Sequence, residues 1–305
     1  MKVLVATQKP FAAAAVAGIK EIVEKAGHEF AALEKYTETS QLLTAVADAD
    51  ALIVRSDKVT AEVLDAAKVL KIVVRAGAGV DNVDLAAATE HKVVVMNTPG
   101  QNANAVAELA IAMMIYASRN CFTPGTGREI MGKKLGLLAY GNIGRLVGQK
   151  AKALGMDLLV FARHKDKETL AADGAEKVET IAELFKRSDY LSLHFPATPE
   201  TKGSIGYELI TSMPKGACLI NTARKEVMDE AGLAKALEER EDLKYITDIA
   251  PDNYEELKKF GTRVYASPKK MGAQTGEANM NAGLAAARQI VDFFETGNTK
   301  FQVNR

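Results

Sequence analysis

The chain has 305 residues, 48% of them hydrophobic, which is enough for two domains with cores of their own. Its 39 basic and 39 acidic side chains balance, leaving neither a basic stripe for nucleic acid nor an acidic disordered tail, and no stretch reads as a signal peptide or membrane span. Only Cys121 and Cys218 occur, far apart and outside any metal-ligand spacing, so the expectation is no disulfide, no metal and two free thiols in a cytoplasmic protein.

Val3–Ala6 reads as a first strand. Apolar runs at Ala51–Val54, Lys71–Val74 and Val93–Met96 then alternate with helical patterns near Ala12–Ala26, Ala61–Ala67 and Leu85–His91. That alternation predicts a parallel sheet with helices on both faces. Asn97–Asn102 is turn-rich and leads into a very apolar helix, Ala103 to about Ser118. The alternation then restarts, with strands at Leu135–Leu138, Leu158–Phe161, Tyr190–Leu193, Ala217–Ile220, Lys244–Thr247 and Arg263–Ala266. A last helix runs from Glu277 to about Glu295. The fold class expected is α/β, with two doubly wound parallel-sheet domains. A Rossmann-type nucleotide domain of about 99–274 is inserted in a flavodoxin-like substrate domain of 1–98 plus 275–305, with a cleft between them. Because the helix at 103–118 is apolar around most of its circumference, a partner domain or second subunit is expected to cover it, and a homodimer is expected.

The strand at 135–138 runs into Ala139-Tyr140-Gly141-Asn142-Ile143-Gly144, followed by a helix to about Leu154. Closely spaced glycines after a parallel strand let backbone N–H groups approach a pyrophosphate, and the helix points its positive end at it. Ala139 stands at the first position of the G-x-G-x-x-G fingerprint, so a plain strand–turn–helix unit stays open. Arg55 and Arg75 each follow a strand, at the edge where an open parallel sheet forms its ligand crevice. Two guanidinium forks there can hold a phosphate and a carboxylate; arginines paired with local acids are the alternative. Gly77 and Gly79 let their loop bring N–H groups close to an anion.

Three stretches carry a more specific likeness. They are Leu52–Ser56 with Arg75-Ala76-Gly77-Ala78-Gly79-Val80-Asp81-Asn82-Val83-Asp84; His194-Phe195-Pro196-Ala197-Thr198-Pro199-Glu200-Thr201; and Asn221-Thr222-Ala223-Arg224. Over essentially the whole chain they resemble the NAD(P)-dependent D-2-hydroxyacid dehydrogenases, and the first stretch resembles the branch acting on 3-phospho-D-glycerate. The resemblance implies reversible hydride transfer between C2 of that acid and a nicotinamide, giving 3-phosphohydroxypyruvate at the entry to serine synthesis. It implies Arg55 and Arg75 at the substrate phosphate, and Ala76, Gly77, Ala78 and Gly79 at the carboxylate. Arg224 would grip the carboxylate and keto oxygen. Tyr140, Gly141, Asn142, Ile143, Gly144, His194, Pro196, Thr201, Thr222 and Ala223 would line the cofactor. Asp248 would bond the nicotinamide carboxamide, unless it is a helix cap.

The departures are as informative. Where the family has a histidine in Pro-His-x-Gly, this chain has Pro268-Lys269-Lys270-Met271-Gly272. Counting from Pro268 puts Lys269 in its place; counting back from Gly272 and Thr275 puts Lys270 there. Either lysine needs its pKa lowered to exchange protons near neutrality. The family glutamate is missing, and Asp252 is the nearest acid to orient the lysine, with an exposed loop aspartate as the alternative. Lys225 follows Arg224 where glycine is usual. The connection from Arg119 to Gly127 is short and lacks the family tryptophan, leaving any third phosphate-binding arginine unassigned. After the second nucleotide-domain strand, the usual ribose-binding acid is replaced by Ala162, followed by Arg163, His164 and Lys165, so NAD and NADP both stay open. Feedback by serine is expected to be weak, since no regulatory module is recognisable. Another D-2-hydroxyacid as substrate, or a dinucleotide-sensing protein without catalysis, are the rival readings.

Overall fold

Short apolar runs become fully buried parallel strands, and their alternate side chains feed two different cores. The structure, a computed structural model, describes residues 1–304. It divides into one unit of Met1–Asn102 with Gln274–Arg305 and a second of Ala103–Ala273.

In the first unit β1 (Lys2–Thr7), β2 (Glu29–Glu34), β3 (Ala51–Val54), β4 (Ile72–Arg75) and β5 (Val94–Asn97) pair in the order β2-β1-β3-β4-β5. This is the flavodoxin-like order, whose direction reverses between β1 and β3. Val3, Val5, Ala51, Ile53, Ile72 and Val74 face one core together with Ala282, Ala286 and Ile290 of the C-terminal helix Gly276–Thr296. Leu4, Ala6, Leu52, Val54 and Val73 face the other.

In the second unit β6 (Lys134–Leu138), β7 (Asp157–Phe161), β8 (Ala175–Lys177), β9 (Tyr190–Leu193), β10 (Cys218–Asn221), β11 (Lys244–Thr247) and β12 (Val264–Ala266) pair in the order β12-β11-β10-β9-β6-β7-β8. The first six follow the Rossmann order, and the switch point lies between β6 and β9. Much of the apolar surface of Ala103–Ser118 is taken up inside its own unit. Ala107, Ala110, Ile111, Met113, Met114 and Ala117 of this helix are core residues of its own unit. Its solvent face is the narrow strip of Asn104, Glu108, Ala112 and Ile115. Among the described residues no helix is long and apolar enough to cross a membrane.

Candidate active site

At the end of β6 the chain turns through Ala139, whose φ of 75° is a left-handed value few residues with a Cβ adopt. Its carbonyl then lies where a side chain on Gly144 would have to go, so the last glycine of the fingerprint cannot be replaced without moving the turn. Gly141 caps the helix Asn142–Ala153, and Asn142, Ile143 and Gly144 form its first turn, whose N–H groups have no partner within the helix. Tyr140 is buried, and burial, with the Asp173 carboxylate adding to it, pushes its hydroxyl up to about 12.

Three neighbouring strands end alike. His194, Thr222 and Asp248 stand one residue beyond β9, β10 and β11. Both ring nitrogens of His194, Oγ1 of Thr222 and Oδ1 of Asp248 are buried without a partner among the described residues. Orphaned buried polar atoms are rare, and these line the carboxyl edge where a doubly wound sheet takes a dinucleotide. The residues therefore fit a nicotinamide dinucleotide. Burial pushes the His194 imidazole down to about 3, so the ring is neutral.

Beside the fingerprint a cavity of about 670 Å³ is lined by Ala139, Tyr140, Gly141, Ala162, Arg163, His164, Lys165, Pro196, Glu200 and Thr201. No acid directly follows β7. Glu200, which accepts a hydrogen bond from Thr198 Oγ1 at 2.6 Å, is the carboxylate that lines this space with the basic run. Thr201 braces the loop, donating to the Pro196 carbonyl at 2.7 Å and accepting from the Thr198 N–H at 2.7 Å. None of the apolar walls, Leu138, Phe161, Ile181, Phe195 and Ile205, was given a role at the site from sequence. Apolar residues at strand ends read as core, so no pattern marks them.

Asn221, fully buried, shapes the turn after β10: its Oδ1 accepts from the Ala223 N–H and its Nδ2 donates to the Arg224 carbonyl, both at 3.0 Å. Two cations then converge on one oxygen. Arg224 Nη1 donates to the Ala223 carbonyl at 3.0 Å, and Lys270 Nζ donates to the same atom. Burial pulls the Lys270 ammonium below its ordinary value; Asp248 opposes the shift, Arg224 adds to it and Glu226 opposes it. Lys269 is exposed and makes none of these contacts. Asp248 is no helix cap. It is fully buried, its Oδ2 accepts the Gly272 N–H at 2.9 Å, and burial raises its pKa against the pull of Lys270.

Asp252 requires a correction. Its carboxylate, exposed, pairs with Lys225 and not with Lys269 or Lys270. The lysine that replaces the usual glycine gives this acid a surface partner, and Glu230 fixes its backbone by accepting the Asp252 N–H at 2.9 Å. The acids whose charge reaches Lys270 are Asp248 and Glu226.

In the first unit Arg55, one residue past β3, is half-buried and held by neutral oxygens. Nη1 donates to the carbonyls of Lys9 and Pro10, each at 3.2 Å, and Nη2 to Asn279 Oδ1 at 2.5 Å. The guanidinium lies 5.1 Å from the Phe11 ring centroid. Arg75 Nε donates to the Arg55 carbonyl at 2.9 Å, and the Arg75 guanidinium occupies the space a side chain on Gly77 would need. The loop donates less than its glycines suggest. The N–H groups of Ala76 and Gly77 are taken by the carbonyls of Val54 and Arg75, while those of Ala78 and Gly79 have no partner among the described residues.

These edges define a dinucleotide-binding α/β protein. Residues 110–269 match the family described as D-isomer specific 2-hydroxyacid dehydrogenase, NAD binding domain. The chain belongs to that family. It is 50% identical to an NAD+-bound 3-phosphoglycerate dehydrogenase of Entamoeba histolytica, with a TM-score of 0.89 over 100% of this chain and 99% of that one. It is 38% identical to the D-3-phosphoglycerate dehydrogenase of Methanocaldococcus jannaschii across 82% of this chain and 51% of the relative. It is 33% identical to a hydroxypyruvate reductase of Thermotoga maritima across 86% and 90%. The chain spans about half the length of most of the curated D-3-phosphoglycerate dehydrogenases it matches.

Proposed function

We propose that this protein interconverts 3-phospho-D-glycerate and 3-phosphohydroxypyruvate with a nicotinamide cofactor, the reaction that opens serine synthesis. The observation that carries the reading is the convergence of Arg224 and the half-buried Lys270 on the Ala223 carbonyl. Two cations that share one neutral acceptor leave a strong field for an anion, and one of them is able to give up a proton.

When bound, the nicotinamide supplies or accepts the hydride at C2. The orphaned atoms of His194, Thr222 and Asp248 would hold that cofactor, with the 142–144 helix start at its pyrophosphate. In the reducing direction Arg224 stabilises the charge that grows on the keto oxygen. Lys270 Nζ–H then delivers a proton to that oxygen and is left as a neutral amine; in oxidation the neutral amine takes the proton back. Arg55 and Arg75 take the phosphate, and the free N–H groups of Ala78 and Gly79 take the carboxylate. Both NAD and NADP are accepted in this reading, since no acid directly follows β7 and Arg163 is on hand for a 2′-phosphate. A homodimer in the cytoplasm is part of the proposal. Exposed Phe122 and Ile115, beside Pro124, support the former and the unpaired Cys121 and Cys218 the latter.

The test follows nicotinamide absorbance during reduction of 3-phosphohydroxypyruvate, in parallel with NADH and NADPH. Turnover is expected with at least one. Cofactor binding without turnover, while another 2-keto acid is reduced, overturns the substrate assignment.

A further inference from the structure

The loop that follows β1 contains a lysine placed where the phosphate reading lacks a charge. Arg55 spends three of its N–H groups inside the protein, on Lys9 O, Pro10 O and Asn279 Oδ1. A guanidinium has five, so two remain for an anion that offers three oxygens. The Lys9 carbonyl that receives Arg55 is pinned twice over, because Thr7 Oγ1 also donates to it at 2.6 Å. The Gln8 N–H is tied to Asp57 Oδ1 at 2.7 Å, and Asp57 itself is buried and accepts the Tyr36 hydroxyl at 2.9 Å. The backbone of Lys9 is therefore fixed against the arginine's fork.

Its side chain is exposed, and no acid pairs with it among the described residues. Lys9 and Arg55 follow β1 and β3, the two strands between which the order β2-β1-β3-β4-β5 reverses direction. An open α/β sheet binds its ligand at that crevice. A flexible four-carbon stem that starts beside Arg55 can bring an ammonium to any anion the arginine holds.

We propose that Lys9 is a phosphate-binding, specificity-determining residue of this enzyme, completing with Arg55 and Arg75 a three-cation site for the substrate's phosphate monoester. The inference rests on the substrate reading above. Lys58, exposed in the loop after β3, is its rival for the same role.

Steady-state kinetics with 3-phosphohydroxypyruvate and unphosphorylated hydroxypyruvate test it, on wild type, Lys9→Ala, Lys9→Arg and Lys58→Ala. The expected result is a rise in KM for the phosphorylated substrate of about tenfold in Lys9→Ala, with kcat and the hydroxypyruvate KM within twofold of wild type, and recovery in Lys9→Arg. Thermal unfolding of Lys9→Ala separates a lost contact from a loosened loop: its midpoint is expected to match wild type. A wild type that prefers the phosphorylated substrate while Lys9→Ala keeps that preference, or Lys58→Ala loses it instead, overturns the role of Lys9 alone. A wild type with no such preference overturns the substrate reading and this proposal together.

Discussion

The two sheets end in cations held in the same manner but left in different electrical states. In the first unit Arg55 and Arg75 rest on carbonyl and amide oxygens, and a guanidinium stays charged even when half-buried. In the second unit Lys270 also rests on a carbonyl, yet burial and Arg224 draw its pKa down. Lys270, like Arg55, donates its hydrogen bonds to neutral oxygens and not, among the described residues, to a carboxylate. The difference is one of residue type. In the proposed reaction, Arg55 and Arg75 keep a charge that holds an anion, while Lys270 is the one whose charge can be given up.

The largest effect expected is from removing the movable proton. Lys270→Ala should lower kcat by about 10²–10⁴-fold, the usual range for a general acid–base group, and Lys270→Arg should fail to restore it because a guanidinium does not deprotonate. Lys269→Ala should stay near wild type. Equal losses at both lysines would erase the distinction between the half-buried and the exposed one. The pH profile sharpens the same point. Oxidation of the hydroxyacid needs the neutral amine, so kcat/KM rises with pH and levels off at a pKa below the ordinary 10.5. Reduction needs the ammonium and falls through that same pKa. Rates in both directions across pH 6–11 check the crossing.

The other side of the comparison concerns charge that must not move. Arg55→Lys keeps the charge and loses the fork, so KM for 3-phosphohydroxypyruvate should rise about tenfold, roughly 1.4 kcal/mol, while unphosphorylated hydroxypyruvate is little affected. An equal rise for both substrates would mean that Arg55 shapes the loop of Lys9 and Pro10 and does not read phosphate.

The fold was legible because most of its strands are short runs built around apolar, β-favouring residues: Ala51–Val54, Tyr190–Leu193 and Lys244–Thr247 sit where their composition puts them. β2 escaped notice because Glu29–Glu34 is an edge strand with two exposed glutamates and alanines at its centre, which carries no β signal. β8 is only three residues long. At the site, spacing alone leaves two registers for the lysine, and burial separates them. The Asp252 expectation failed because nearness in sequence ignored Lys225, which claims that acid at the surface. Asn279 and Lys9 were invisible as partners of Arg55, since contacts across 224 and 46 residues leave no local pattern.

Between the two edges, the second also stores more cost in neutral groups. His194 is held near 3 against an ordinary value of 6.5, so between those values the unfolded chain binds a proton that the folded one refuses. Stability from this site is complete above about pH 6.5 and is lost as pH falls toward 3, at up to about 1.4 kcal/mol per unit. Urea unfolding at pH 5 and pH 7 should therefore differ less in His194→Asn than in wild type. An unchanged difference would show that the ring titrates freely.

The smallest effect lies at the fingerprint itself. Ala139 holds φ at 75° while its N–H is tied to the Phe161 carbonyl at 2.9 Å and its carbonyl presses on Gly144. A left-handed alanine costs roughly 1–2 kcal/mol, and glycine removes that cost but adds about 0.5–1 kcal/mol of unfolded-chain entropy. Ala139→Gly should thus stabilise the protein by a net ~0.5–1 kcal/mol in urea unfolding, with cofactor KM unchanged. The first unit offers the matching control at Gly77, where the Arg75 guanidinium fills the space: Gly77→Ala should destabilise and raise KM for the phosphorylated substrate together. If Ala139→Gly instead weakens cofactor binding, the alanine is holding the turn shut for the dinucleotide, and its strain belongs to function and not to history.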